Sequence, residues 1–311
     1  MGVAEHYAVG DAGVCNLETS GKGLGIVNVN GKSYSVAYNA AQLSALANAA
    51  NNVTIEVAQD ITENVSFTQQ NGRNIVIDGN GKVMSGTMNI TARAATTDSG
   101  KLLIKDFNFV TTASAHNFIL SSETNYYPNN VTVSGCTFEG PGANSDVVPV
   151  TLKSANNFVM ENCTATGVHS LLQNTAGWNI TIRECEVTNA GRGISLGTVQ
   201  GALIENVKIA ASAEKYGIRI DAGYNNNATI KNCEISAFCP VVVRKASKAS
   251  TLTFAGTNAM TPANTDGLWC AIGTSEYETN GTMPTAATAP VTVVLNDTDL
   301  DAAGVYGAAN L

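Results

Sequence analysis

ITIRECEV (residues 180–187), ALIENVKI (202–209) and ATIKNCEI (228–235) decide the fold. Each sets down an apolar residue, passes two positions, sets down Cys or Val, passes one more and ends apolar. The pattern runs upstream through LLIKDFNF (102–109), VTVSGCTF (131–138) and FVMENCTA (158–165). Its leading apolar column is Ile104, Val133, Met160, Ile182, Ile204 and Ile230, at intervals of 29, 27, 22, 22 and 26 residues; Ile77 and Ile55 extend it by 27 and 22. Fixed periods of this size mark stacked architectures, in which each unit buries its apolar face against its neighbours. Intervals in the low twenties predict one turn of a wide β-solenoid, and the longer ones predict loop insertions between rungs.

Three further columns support that reading. Phe107, Cys136, Cys163, Cys185, Val207 and Cys233 alternate Cys with apolar residues, so the thiols are read as small hydrophobes in a buried stack. Just before them stand Asp106, Gly135, Asn162, Glu184, Asn206 and Asn232. Asn tolerates left-handed turns and its amide can bond from rung to rung, so this column predicts a partial asparagine ladder. A second strand set follows: FIL (118–120), VPV (148–150), SLL (170–172), ISL (194–196), IRI (218–220) and VVV (241–243). Alternation predicts Phe118, Val148, Ser170, Ile194, Ile218 and Val241 inward, again with Leu120, Val150, Leu172, Leu196, Ile220 and Val243 two residues on. The outward column then reads Ser121, Thr151, Gln173, Gly197, Asp221 and Arg244. AYNAAQLSALANAA (37–50) is rich in helix formers and precedes the first strand, VTIEV (53–57), so it predicts a helix plugging the open end of the stack.

The fold class is therefore all-β: a right-handed parallel β-helix with a short N-terminal capping helix. The predicted divisions are an N-terminal segment with the helix (1–52), the β-helix (53–250) and an irregular C-terminal segment with a final strand, VTVVL (251–311).

The repeated Asn-Cys strand ending and the cap helix resemble the pectate-lyase-like superfamily of right-handed β-helix proteins, over about residues 50 to 250. That superfamily includes polysaccharide lyases, glycoside hydrolases, phage tailspikes and fibres, and bacterial surface proteins, so the fold alone does not assign a function. The resemblance to phage and surface proteins implies a virion or extracellular location, with other virion proteins among the partners. It also brings in the homotrimer as an assembly, since trimers are common among the phage proteins.

Composition narrows the partners. The 311 residues carry a net charge of −8, with charged residues at 14% and no basic run. Nucleic acid and anionic membranes demand Lys/Arg patches and are not expected partners. No segment is long and apolar enough to span a bilayer. Residues 1–10 lack the basic and apolar regions of a signal peptide, so either the protein leaves by another route or a leader has been removed. The seven cysteines form no CxxC pair and no Cys/His group with zinc spacing, so no metal site is predicted.

Candidate chemistry is sparse. Glycoside hydrolysis needs two carboxylates flanking the scissile bond, and the outward column offers Asp221 alone. Asp297, Asp299 and Asp301 alternate in the tail and are read as solvated. The lyases resembled here abstract a proton with a basic residue, often beside calcium. The best constellation for that is Arg219 and Asp221 in GIRID, with Arg244 and Lys245 one rung on and Arg192 one rung before. The plainer alternative is an outward Asp221–Arg244 ion pair, worth little in stability. His169 is expected to face outward near Tyr216, within reach of a sugar. The candidate face is thus Arg192, Arg219, Asp221, Arg244, His169 and Tyr216. The favoured function is a non-catalytic structural, receptor-binding or glycan-binding protein that meets a polysaccharide or cell-surface glycan. The alternative is a polysaccharide lyase or glycoside hydrolase, with Arg219 or Arg244 as the base of the lyase and calcium entering only there.

Overall fold

The computed structural model describes residues 6–9, 15–18, 27–49, 52–69, 72–92, 100–121, 128–212, 215–221, 227–244, 249–263, 272–273 and 291–301. Its architecture is an all-β parallel solenoid of about 8 turns. The leading column pairs rung to rung as the period predicts: Ile55, Ile77, Ile104, Val133, Met160, Ile182, Ile204 and Ile230 stand opposite one another in parallel register. All eight are fully buried. Phe254 continues the column beyond Ile230, because Ser250–Pro262 pairs in parallel with the strands before it and buries Leu252 and Phe254. The ladder therefore runs past residue 250, where the sequence pattern fades, and Val291–Asp301 pairs onto it in turn.

Each rung has three strands, where the sequence suggests two. The segments read as one first strand are broken in the middle. Leu102–Lys105 and Asn108–Val110 lie on different sheets, as do Val131–Ser134 and Thr137–Glu139. The break falls at Asp106, Gly135, Asn162, Glu184, Asn206 and Asn232, all with φ between 51° and 63°. One left-handed residue per rung turns the chain through a corner, a conformation that Asn and Gly accept more readily than most residues. The second sheet has its own inward column, from Met84, Phe109 and Phe138 through Ala165, Val187 and Ile209 to Ile235 and Met260. The rings of Phe109 and Phe138 stack at 4.9 Å.

The cysteine column sits just past that corner. Cys136, Cys163, Cys185 and Cys233 are buried, and their thiols are free. Each Sγ lies within 3.2–3.5 Å of the carbonyl oxygen two residues back, on Ser134, Glu161, Arg183 and Lys231. Cys thus fills a small apolar site and offers a weak donor to a carbonyl at the bend, which Val cannot do. Hydrogen bonding to Cys136, backed by burial, pushes the Cys163 thiol up to about 12, and burial takes Cys233 to about 11.

The clearest asparagine ladder lies at the other end of the first strand. Asn157 Nδ2 donates to Asn130 Oδ1 at 3.1 Å, and Asn179 Nδ2 donates to Asn157 Oδ1 at 3.0 Å. All three residues are left-handed, so this is the corner that feeds the first sheet. At the ladder position predicted from sequence, Asn206 Nδ2 donates to Glu184 Oε1 at 2.6 Å, an amide-to-carboxylate link.

The single α-helix among the described residues is Ala40–Ala49, three residues shorter at its start than the apolar pattern suggests. Asn39 is its N-cap: the Gln42 backbone N–H donates to Asn39 Oδ1 at 2.9 Å, while Gln42 Oε1 accepts from the Tyr38 N–H at 2.8 Å. This reciprocal box satisfies two N–H groups and fixes where the helix begins. Leu43, Leu46 and Ala47 close the core. Ser44 and Asn48 accept hydrogen bonds from the Ser66 and Thr68 N–H groups, covering the outer edge of the first strand of the third sheet, Val65–Gln69.

Candidate functional site

The candidate residues gather on and beside the third sheet, where the register differs from the sequence reading. Val150, Leu172, Ile194, Ile218 and Val241 stand opposite one another, preceded by Ile119. Ser170 is buried but lies outside this column, and Leu120 is half-buried beside Ile119. Phe118 is inward, against Phe109 and Phe138. Matching apolar triplets slips the alignment by two residues between the Ser170 and Ile194 rungs. The 22-residue interval from Met160 to Ile182 carries the right answer, because Gln173 pairs with the residue 22 further on, Ser195. Gln173 is therefore followed along its column by Ser195 and Arg219, while Gly197 belongs to the next outward column, with Asp221.

This correction builds a groove. Gln173, Thr175, Ser195, Thr198, Arg219 and Asp221 line a depression of about 360 Å³ on the outer face. Gly197 is part of its wall: a Cβ there would collide with the carbonyl oxygen of Thr175, so no other residue fits this close approach of rungs. Arg219 Nε is 3.4 Å from Asp221 Oδ1, across one intervening residue of the same strand. Asp221 also stands opposite Arg244 in the backbone register. The Arg244 side chain and all of Lys245 lie outside the described residues.

Tyr216 is fully buried, and two cations flank it. The guanidinium carbons of Arg192 and Arg219 lie 5.2 and 5.1 Å from its ring centroid. The ring face attracts both and holds them as a pair. Tyr216 also packs with Cys239 and Val242 in a small apolar cluster apart from the main core. It is thus a support beneath the arginines, where the sequence reading placed it on the contact face.

His169 lies in a second, smaller depression of about 200 Å³, with Asn144, Asp146, Arg192 and Lys215. Its Nδ1 is 3.1 Å from the Ser145 carbonyl oxygen and 3.7 Å from Asp146 Oδ1. Burial, reinforced by Arg192, lowers its pKa, so the imidazole is neutral at pH 7. Arg192 links the two depressions through Tyr216.

Among the described residues no group of three or more His, Cys, Asp or Glu could hold a metal ion. Calcium takes several oxygen ligands; the groove supplies one carboxylate, already beside Arg219, and does not fit that ion.

The sequence profile of the right-handed β-helix region family matches residues 170–252, the stretch that holds this site. Among solved structures the chain is similar to an alginate lyase from Paenibacillus sp. str. FPU-7, at 15% identity and a TM-score of 0.56, over 88% of this chain and 97% of that one. A second similar structure is that of L. reuters 100-23 SRRP, at 13% identity and a TM-score of 0.42, over 90% and 99%. No curated protein sequence matches. The chain folds as a right-handed parallel β-helix.

Proposed function

We propose that this protein binds a polysaccharide along the outer face of its third sheet without cleaving it, at a cell or virion surface. The observation that carries this reading is the make-up of the groove. Its described lining offers amide and hydroxyl groups on Gln173, Thr175, Ser195 and Thr198, which suit sugar hydroxyls. Arg219 adds a guanidinium for an acidic substituent. The one carboxylate of that lining, Asp221, lies against Arg219, with no second carboxylate across the groove among the described residues, which disfavours the acid–base pair of a hydrolase.

A second reading rests on His169. With Nδ1 donating to the Ser145 carbonyl, Nε2 carries the lone pair, and the neutral ring could take a proton at pH 7. Arg192 and Lys215 beside it would neutralise a substrate carboxylate. In a lyase of this design His169 is the base, rather than Arg219 or Arg244, since a guanidinium stays protonated near neutrality.

Affinity electrophoresis against alginate, polygalacturonate, xylan and dextran tests both readings, with ultraviolet absorbance of unsaturated sugars followed in parallel. The binding reading expects retardation by at least one polymer, no absorbance, and about tenfold or greater weakening in Arg219→Gln, as for a lost charged hydrogen bond. Absorbance that disappears in His169→Ala would replace it with the lyase reading.

A further inference from the structure

Trp178 is one of two large apolar side chains strongly exposed among the described residues, at 41%. It stands at the corner where the third sheet passes into the first, between Asn156 and Gln200 in the rung register. Gly177, just before it, is buried so close to the Ala155 carbonyl of the previous rung that a Cβ would collide with it. The chain at this corner is therefore pinned, and the indole is carried on a rigid backbone. Its orientation is fixed as well: Nε1–H donates to Gln200 Oε1 at 3.1 Å, from one rung to the next.

We propose that Trp178 is a stacking platform for a pyranose ring, forming a further subsite of the glycan groove. This inference rests on the glycan-binding reading of that groove. Three observations support it. First, the platform continues the groove. Trp178 lies on the same strand as the groove residues Gln173 and Thr175, three residues past Thr175 and so at most about 10 Å along the chain. Gln200 likewise follows the groove residue Thr198 by two. A short oligosaccharide covers that span. Second, the indole sits among polar groups suited to sugar hydroxyls. Gln200 uses its side-chain carbonyl oxygen on the indole and is itself exposed. Asn179 ends the asparagine ladder: its Nδ2 is given to Asn157, and the next rung has Gly201, with no side chain to donate to Oδ1. Third, an exposed aromatic ring whose N–H is already bonded matches a pyranose, which presents C–H bonds on its faces and hydroxyls around its rim.

The chain has two tryptophans, Trp178 and Trp269. In a Trp269→Phe background, intrinsic fluorescence reports on Trp178 alone, and the four polymers above can be titrated one by one. The expected result is a change in Trp178 emission with the polymer that retards the protein. Trp178→Ala should weaken binding of that polymer roughly fivefold to tenfold, with partial recovery in Trp178→Phe, since the smaller ring still stacks. Equal far-ultraviolet circular dichroism for all variants excludes misfolding as the cause. If Arg219→Gln weakens binding while Trp178→Ala binds as the parent does, the platform is refuted and the groove stands. If the parent retains none of the polymers, the glycan reading of the groove falls and takes the platform with it.

Discussion

Asn174 should be better replaced by leucine. It occupies an inward position of the third sheet, directly between Leu152 and Leu196 of the neighbouring rungs. It is 4% exposed, and neither Oδ1 nor Nδ2 has a hydrogen-bond partner among the described residues. Leaving a buried polar group unsatisfied costs about 1–3 kcal/mol. Asn174→Leu removes that cost and adds a side chain that matches its neighbours on either side. Overpacking offsets part of the gain, so a net rise of about 2 kcal/mol is expected. Urea unfolding followed by circular dichroism measures it: the midpoint should rise with the slope unchanged, since the surface exposed on unfolding hardly differs. On the entropy scale of a chain this long, the melting temperature should rise by about 3 °C. Asn174→Ala, which leaves a void, should give less. A fall in stability of 1 kcal/mol or more in Asn174→Leu would refute the reasoning, because it would mean that the amide is satisfied in the native protein.

Two further predictions concern titrating groups. With Cys163 pushed up to about 12, its thiolate fraction at pH 8 is on the order of one in ten thousand. Cys136, Cys163, Cys185 and Cys233, all buried, should resist iodoacetamide in the folded protein and react in denaturant, as peptide mass spectrometry can show. Burial lowers the pKa of both His116 and His169 below the ordinary 6.5. The unfolded chain then binds protons that the folded one refuses, so this stability is full above about pH 6.5 and is lost as pH falls through the folded values. Urea midpoints between pH 7 and 5 should decline, and the decline should shrink in His169→Gln.

The sequence reading succeeds where side chains face inward and the period is short. The column from Ile55 to Ile230 is legible because a buried column admits only apolar residues, and a shift of one residue would expose every one of them. The corner inside ITIRECEV was harder to see. Its signal is a conformation, a left-handed residue, and Asp106 and Glu184 adopt it as Asn162 does, with no common side chain to mark the place. The asparagine ladder was misplaced for a related reason: both corners use Asn, and composition does not say which amides face one another. The groove was half legible. Arg219 and Asp221 were found as charges on one strand, but Ser195 was missed, because outward positions carry no apolar constraint to hold the register. Trp178 leaves no periodic trace, since its column holds Asn156 and Gln200.

Two of the rungs beneath the groove are as short as any in the column, with 22 residues from Met160 to Ile182 and 22 from Ile182 to Ile204, against 27 before and 26 after; Ile55 to Ile77 matches them at 22. Since the inward columns keep register through every interval, the surplus residues of longer rungs must leave the core at its corners. Chain length between rungs therefore acts as an aperture. Where the rungs are minimal no surplus chain lies over the outer face, and Gln173 and Ser195 line the groove there. A lineage of such solenoids could shutter or unshutter this face by gaining or losing a few corner residues, leaving the buried columns untouched.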